Sequence, residues 1–196
     1  MDYKKEVRRA FFHMALGVAI VVLALLIDYA TLISGMLVVL GLGLIVSDIS
    51  RTKKLPVIDW FLRTFERPKE YKTFPGKGAF YFIAGSLLAL VLFEKNTALA
   101  AILILAFGDG SAKIFGKFGK IKTPLNGKKT LEGTVMGIFL GSLSAMVFVA
   151  PAAAFFGALL GMIAEMIDFE NFQINDNILV PLVSGLAVSV VSSALV

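Results

Sequence analysis

The chain contains no cysteine and only one histidine, His13, in 196 residues. Without cysteine, disulfide bonds, thiolate metal ligands and thiol nucleophiles are excluded. A single histidine cannot supply the imidazole set of a histidine metal site. Charged residues are also scarce, at 17% of the sequence, whereas soluble globular domains carry about 25%. These absences exclude thiol-dependent enzymes and histidine-based metal centres, and they argue against a soluble globular protein.

Apolar residues dominate the chain and are grouped in long runs. Hydrophobic residues make up 58% of the sequence, and its mean hydropathy is +0.85. Such runs are typical of membrane-spanning helices, because lipid-exposed backbone must form its hydrogen bonds within its own segment. We therefore expect an all-α, polytopic transmembrane helical bundle that forms a single integral membrane domain over residues 1–196. About seven spans are predicted, at residues 10–27, 30–47, 78–93, 97–115, 132–150, 152–167 and 178–196.

The basic residues predict which side of the membrane each loop faces. Four precede the first span, eight lie between Arg51 and Lys77, and six lie between Lys113 and Lys129. In a seven-span arrangement only Lys95 falls on the opposite side. The positive-inside rule then places the N-terminus and the basic loops in the cytoplasm. No small-residue cleavage site follows the basic N-terminus, so we expect a multi-pass protein of the cell membrane without a removable signal peptide.

A segment rich in glycine and charge interrupts the apolar pattern at the end of the fourth run and again after it. Residues 108–113 read GDGSAK, and residues 127–133 read GKKTLEG. Asp109 and Lys113 are four residues apart and share a helix face, either as a simple ion pair or as a functional pair. Aspartate can hold Mg²⁺, lysine can neutralise phosphate oxygens, and glycine lets backbone amides approach an anion. The spacing does not fit a Walker A motif, but the pattern favours a phosphate-handling site at the membrane surface.

Glycines recur every four residues in the next two spans. Gly133, Gly137 and Gly141 form one stripe, and Gly157 and Gly161 form a second. This spacing is typical of membrane helices whose backbones approach closely, so we interpret both stripes as packing surfaces. We expect the two helices to form a tight pair.

Four further carboxylates are predicted at the same boundary as Asp109. The second glycine stripe leads directly into Glu165 and Asp168, near the expected position of Glu132. Asp176 opens the last span, where it either caps the helix or binds a metal ion. Ionisable groups at membrane depth are costly, so we interpret these residues as candidates for function.

The first span also carries polar residues on one face. Arg9, His13 and Gly17 are spaced four residues apart and therefore share a helix face. Arg9 either contacts a ligand or extends to the membrane surface along an apolar helix. His13 is either a functional group or a buried, hydrogen-bonded histidine.

Together these motifs resemble the CTP-dependent polyprenol, dolichol and phytol kinases, a family related to the CTP:phosphatidate cytidylyltransferases. The resemblance covers nearly the whole chain, and it is the order and spacing of the motifs that make it specific. The matching residues are Arg8, Arg9 and His13; Gly108, Asp109, Ala112 and Gly116; Lys129 to Gly133; and Glu165, followed by Asp176, Asn177, Pro181 and Leu182.

The resemblance implies a Mg²⁺-dependent enzyme that transfers the γ-phosphate of CTP to the hydroxyl of a membrane lipid. The acceptor would be an isoprenoid alcohol, such as polyprenol, dolichol, geranylgeraniol or phytol, or a diacylglycerol-like lipid. The expected metal ligands are Asp109, Glu132, Glu165 and Asp176. The expected catalytic residues are Asp109, Glu132, Asp176 and, as the weaker candidate for a base, His13. The expected nucleotide-binding residues are Arg8, Arg9, Lys113, Gly116, Lys128, Lys129, Thr130 and Gly133.

Two other functions are compatible with parts of the pattern. A CTP-dependent cytidylyltransferase making CDP-archaeol or CDP-diacylglycerol would use the same site, but the C-terminal lysine–aspartate and histidine-glycine-glycine-aspartate run of that family is absent. A non-enzymatic membrane transporter would place charges in mid-span and carry internal repeats, which the sequence does not show. The expected partners are therefore CTP, a lipid alcohol and the bilayer, with no nucleic acid.

Overall fold

The computed structural model describes residues 3–53, 55–66, 68–123, 127, 129–167 and 175–195, the side chains of residues 68, 69 and 72 excepted. The fold is all-helical, and within these residues the β pairing is limited to an isolated bridge between Lys122 and Thr130. The helices are α1 Tyr3–Leu26, α2 Tyr29–Thr52, α3 Pro56–Phe65, α4 Pro68–Thr73, α5 Lys77–Leu92, α6 Lys95–Phe115, α7 Leu131–Ala145, α8 Pro151–Met166 and α9 Asp176–Ala194.

Local sequence explains where several helices begin. The Asp28 side chain caps α2 by accepting a hydrogen bond of 2.9 Å from the Thr31 amide. The Asn175 side chain caps α9 by accepting one of 3.0 Å from the Asn177 amide. Proline occupies the first position of α3 and of α8, where its missing N–H costs no intrahelical hydrogen bond.

Among the helices of the described residues, seven are strongly apolar, in agreement with the seven apolar runs of the sequence. Four of them, α1, α2, α6 and α9, are long and apolar enough to cross a membrane, and α5, α7 and α8 are shorter apolar helices of 15 or 16 residues. The two remaining helices, α3 and α4, lie in the basic segment between the second and third apolar runs.

Helix α6 forms the centre of the bundle. Every residue from Ala98 to Ala106 is buried, and the helix contacts α1, α5, α7, α8 and α9. A helix that is apolar on all sides needs protein or lipid on every face, and for α6 five other helices supply this cover. By contrast, α2 buries only Leu32, Met36 and Ser47 and therefore lies at the edge of the bundle.

The second half of α6 contains a π-helical segment, Ile104–Asp109. Such segments carry an extra residue per turn, and they occur often at functional sites. The sequence pattern predicted a regular α-helix here. The wider turns change the direction in which Asp109 projects from the helix, and Asp109 is the last residue of the segment.

The two glycine stripes are packing surfaces, as predicted, but they do not mainly face each other. Gly133 of α7 faces α6, where an added Cβ would lie 2.7 Å from the Ala112 carbonyl oxygen. A Cβ at Gly137 would lie 2.9 Å from the Gly108 carbonyl oxygen of α6 and 2.7 Å from Met162 Sδ of α8. Gly157 of α8 instead faces α9, and a Cβ there would lie 2.5 Å from Val188. The tight pairs are therefore α6 with α7 and α8 with α9.

Candidate functional site

Three carboxylates from three helices meet at one end of the bundle. Asp109 ends the π-helical segment of α6, Glu165 lies in the last turn of α8, and Asp176 is the first residue of α9. One oxygen from each of these side chains lies within 4.8 Å of the others. This carboxylate group contains three of the four predicted metal ligands.

The carboxylate group is buried to different degrees. Asp109 is 1% exposed and Glu165 is 4% exposed, whereas the Asp176 side chain is 35% exposed. The Oδ1 atom of Asp109 is buried and has no hydrogen-bond partner among the described residues. A buried carboxylate oxygen without a partner is costly unless a cation or a donor satisfies it. The group is therefore open to solvent through Asp176, while its inner end has an unused ligand atom.

Two lysines neutralise part of this charge. The Nζ atom of Lys113 lies 2.5 Å from Asp109 Oδ2 and 3.9 Å from Asp176 Oδ2. Lys129 Nζ lies 2.5 Å from Glu165 Oε1 and also donates to the Glu165 backbone carbonyl. Asp109 and Lys113 thus form the predicted pair across one helical turn. Unlike an exposed surface pair, they belong to a larger buried network.

The residues of this group suit a divalent cation such as Mg²⁺. Mg²⁺ binds oxygen ligands and commonly uses one or two carboxylates together with substrate phosphates. Three carboxylates against two lysines leave one formal negative charge, and Asp109 Oδ1 is an unsatisfied ligand atom at the site. The charge and the oxygen atoms of this group therefore fit Mg²⁺, the metal ion predicted from the sequence.

The predicted nucleotide-binding residues Gly116, Thr130 and Gly133 have structural roles. Thr130 is 3% exposed, caps α7 by accepting from the Gly133 amide, and donates a hydrogen bond of 3.1 Å to the Gly116 carbonyl. An added Cβ at Gly133 would lie 2.7 Å from Gly116 Cα. Close approach of the two glycines holds the start of α7 against the end of α6, which brings Lys129 to Glu165.

Glu132 does not join the carboxylate group. Its side chain accepts hydrogen bonds from the Lys120 amide at 2.7 Å and from the Ile121 amide at 3.1 Å. Glu132 follows Thr130 by two positions and faces the preceding loop, because the buried side of this first turn, formed by Gly133 and Thr134, lies against α6. We therefore exclude Glu132 from the candidate metal ligands and assign it to holding the basic loop.

A second polar centre lies at the beginning of α1, α5 and the connection before α4. Glu66 is buried and accepts hydrogen bonds from the Gly78 amide at 3.0 Å and from the Gly76 amide. An added Cβ at Gly78 would lie 3.2 Å from Glu66 Oε1 and 3.3 Å from Arg9 Nη2. Burial raises the pKa of Glu66 above its usual range, and the bond from Gly78 opposes the shift. The burial of Glu66 was not predicted from the sequence, because this residue lies in a segment rich in basic residues.

Arg9, His13 and Arg8 are not part of the carboxylate group. Arg9 is 6% exposed, and its Nε and Nη1 atoms have no hydrogen-bond partner among the described residues. His13 is buried with its ring 5.1 Å from that of Phe82. Arg8 is exposed. The predicted face of Arg9, His13 and Gly17 is buried as a unit, and its glycine packs against Ala106 of α6.

Asn177 connects the two polar centres. It is fully buried, and its Nδ2 atom donates a hydrogen bond of 3.3 Å to the Gly78 carbonyl. Gly78 also contacts Glu66, and Asn177 directly follows Asp176. A series of contacts therefore leads from Glu66 through Gly78 and Asn177 to Asp176. Two predicted residues, Lys128 and Asp168, lie outside the described residues.

The fold and these two centres define an all-helical protein with four candidate membrane-spanning helices and a buried cluster of carboxylates and lysines. The chain is 30% identical over 182 residues to the uncharacterized protein MJ1137 of Methanocaldococcus jannaschii, and the match covers 91% of this chain and 90% of that protein. The chain therefore belongs to the same protein family as MJ1137. No protein-family model and no solved structure matches it.

Proposed function

We propose that this chain is a lipid kinase that transfers the γ-phosphate of CTP to the hydroxyl of a membrane lipid alcohol. The observation that carries the proposal is the carboxylate group of Asp109, Glu165 and Asp176, with Lys113 and Lys129 in contact. Phosphoryl transfer depends mainly on positioning and on neutralising phosphate charge, which are the properties this cluster supplies. The choice of CTP and of a lipid acceptor rests on the resemblance of the sequence motifs to the polyprenol and dolichol kinases.

We place the site on the cytoplasmic face of the cell membrane, in a bundle of seven spans. If every apolar helix crosses, then the end of α6, the end of α8 and the start of α9 all lie on one side, where the cluster is found. The basic connections lie on that side as well, which the positive-inside rule makes cytoplasmic. CTP is available there, and the acceptor reaches the site from the bilayer.

In the proposed reaction the alcohol oxygen attacks the γ-phosphorus of CTP. A bond forms between that oxygen and phosphorus, the bond from phosphorus to the β,γ-bridging oxygen breaks, and CDP leaves. Asp176, the most exposed of the three carboxylates, accepts the proton of the alcohol. Mg²⁺ held by Asp109 and Glu165, the two buried carboxylates, would neutralise charge on the phosphate oxygens. Lys113 and Lys129 add positive charge beside the same oxygens.

The test gives the purified protein CTP labelled at either the α- or the γ-phosphorus, together with an isoprenoid alcohol in phospholipid vesicles that also contain a phosphatidic acid, the acceptor that a cytidylyltransferase needs. We expect only the γ label to enter the lipid fraction, and only with Mg²⁺ present. Entry of the α label instead would identify a cytidylyltransferase that makes a CDP-activated phospholipid. If neither label enters across isoprenoid alcohols and diacyl or ether glycerolipids, the phosphotransferase proposal is wrong.

A further inference from the structure

A cavity of about 370 Å³ lies between α2, α3 and α5, away from the carboxylate group. Apart from Ser47 and Ser50, its lining consists of hydrophobic residues, glycine and proline. Its volume falls within the range of about 300–1,000 Å³ that ligand pockets occupy. The proposed reaction, as described above, uses none of the residues that line it.

The cavity lies beside Gly43, where α2 and α5 leave a gap although the two helices are in contact elsewhere. Gly43 of α2 faces Phe80 of α5, and even an added Cβ at Gly43 would remain 4.0 Å from the Phe80 ring. Empty space of this size between packed helices is costly unless something fills it, because the surrounding side chains lose their van der Waals contacts. We therefore interpret the gap between these helices as a ligand-binding cavity.

Helix α3 forms the outer wall of the cavity and is strongly amphipathic. Val57 and Trp60 line the cavity, yet they are 79% and 65% exposed. Large apolar side chains next to charged ones such as Asp59 and Arg63 are typical of a helix that lies in the membrane interface. The mouth of the cavity is therefore at the boundary between hydrocarbon and water.

The hydroxyls of Ser47 and Ser50 mark the polar end of the cavity. Both oxygens are buried and have no hydrogen-bond partner among the described residues. Serine in a helix commonly donates to a carbonyl in the preceding turn, so two unpaired hydroxyls on one helix face are unusual. Each can form a hydrogen bond with a polar atom of a ligand that enters the cavity.

The cavity also adjoins the second polar centre. It shares Gly76 and Ala79 with a water-sized pocket of about 10 Å³ that His13 and Glu66 line. From there, Gly78 leads through its carbonyl to Asn177, the neighbour of Asp176. Contacts between neighbouring residues therefore connect the inner end of the cavity to Asp176.

We propose that this cavity binds the hydrocarbon chain of the lipid alcohol acceptor, in the part next to its hydroxyl. The inference rests on the proposed function. The occupant is a hydrocarbon chain because the lining is apolar and the cavity faces lipid. Its volume of about 370 Å³ is at the small end of the range for ligand pockets. This volume suits one hydrocarbon chain better than two, so the acceptor class assigned is a single-chain alcohol of the isoprenoid type rather than a two-chain glycerolipid.

Trp60 makes this inference directly testable, because it is the only tryptophan in the chain and it lines the cavity. The protein in phospholipid nanodiscs is titrated with a single-chain alcohol carrying bromine on its chain, and Trp60 fluorescence is measured without nucleotide. We expect saturable quenching above the linear background from alcohol in the bilayer. Excess unbrominated alcohol should relieve it, whereas a diacylglycerol should not.

A pair of matched variants separates the cavity from the rest of the lipid surface. Gly43→Leu fills the cavity, and Gly41→Leu makes the same change on the same helix where an added Cβ meets nothing within 4 Å. Gly43→Leu should raise the half-saturating alcohol concentration by about tenfold or more, a loss of about 1.4 kcal/mol of binding free energy. Gly41→Leu should leave it within about twofold.

Linear quenching in the wild-type protein that unlabelled alcohol does not relieve would overturn the inference, whatever the variants do. Relief by diacylglycerol would overturn the assignment to a single chain. The quenching measurement does not depend on phosphoryl transfer, so the two proposals can fail separately. Saturable quenching without transfer of label supports the cavity and rejects the kinase. Transfer of label without saturable quenching supports the kinase and rejects the cavity.

Discussion

At the scale of single residues, Asp109 combines nearly complete burial, an ion pair with Lys113 and a second oxygen without a hydrogen-bond partner. A structural ion pair would be more stable with every lone pair satisfied, because burying a charge costs several kcal/mol. The unused oxygen therefore favours a ligand atom over a purely structural residue.

Asp109→Asn tests this role, since asparagine has nearly the same shape and lacks the charge. We expect the rate of label transfer to fall by at least about a hundredfold, as for loss of a group that stabilises transition-state charge, while the protein still inserts and purifies normally. Asp48→Asn, a matched change at an exposed carboxylate of α2, should stay within about twofold. Near-normal activity in Asp109→Asn would contradict the assignment of the site.

Glu66 should make stability depend on pH. Burial is the main cause that raises its pKa above the ordinary value of 4.5. The folded state then favours the protonated acid more than the unfolded state does, so stability is fully present below the unfolded pKa and falls as pH rises through the folded pKa. Relative to Glu66→Gln, the wild-type protein should lose thermal stability as pH rises above 4.5, the ordinary pKa of a glutamate. If the thermal stability of the two proteins changes equally with pH, this role of Glu66 is rejected.

At the scale of helices, the position of Asp176 depends on how closely α9 approaches α5. An added Cβ at Gly85 would lie 2.0 Å from the Asn177 carbonyl oxygen and 3.1 Å from Ile178 Cα. Both are backbone atoms, so the start of α9 would have to move and take Asp176 away from Asp109 and Glu165.

Gly85→Ala should therefore lower both stability, by about 1–3 kcal/mol as in other overpacked cores, and the rate of label transfer. Gly161→Ala is the matched comparison, because its Cβ would lie 2.1 Å from Ser184 Oγ, a side-chain atom that can rotate away. We expect thermal unfolding and activity to change clearly less in Gly161→Ala. Equal losses in the two variants would show that the approach of α9 to α5 is not what positions Asp176.

Long apolar runs predicted the seven apolar helices, and the positions of Asp109, Glu165 and Asp176 at helix ends predicted that they could meet. The prediction that Glu132 joins this group was wrong. Its position in the sequence does not tell which side of the first turn of α7 the side chain occupies. The π-helical segment, the burial of Glu66 and the gap beside Gly43 could not be predicted either. Each depends on contacts between helices far apart in sequence, which a single sequence does not contain.

At the scale of the whole molecule, the three short helices decide how the bundle sits in a membrane. A helix of 15 residues, such as α7, extends about 22 Å at 1.5 Å per residue, which is less than the about 30 Å hydrocarbon core. A short span is accommodated by local thinning of the bilayer. If α5, α7 and α8 cross, thinning around them would bring the cytoplasmic surface towards the buried Asp109 and ease the entry of CTP.

The absence of cysteine allows this topology to be measured, since any introduced cysteine is the only thiol in the protein. Lys117→Cys and Val147→Cys flank α7, and Val147→Cys and Ile167→Cys flank α8. In intact cells, a membrane-impermeant maleimide should label Val147→Cys alone, and the other two should be labelled only after permeabilisation. Equal labelling of all three variants in intact cells would mean that α7 and α8 do not cross. The carboxylate group would then lie on the same side as the connection between these helices, and the cytoplasmic placement of the site would have to be abandoned even if Asp109 proved essential.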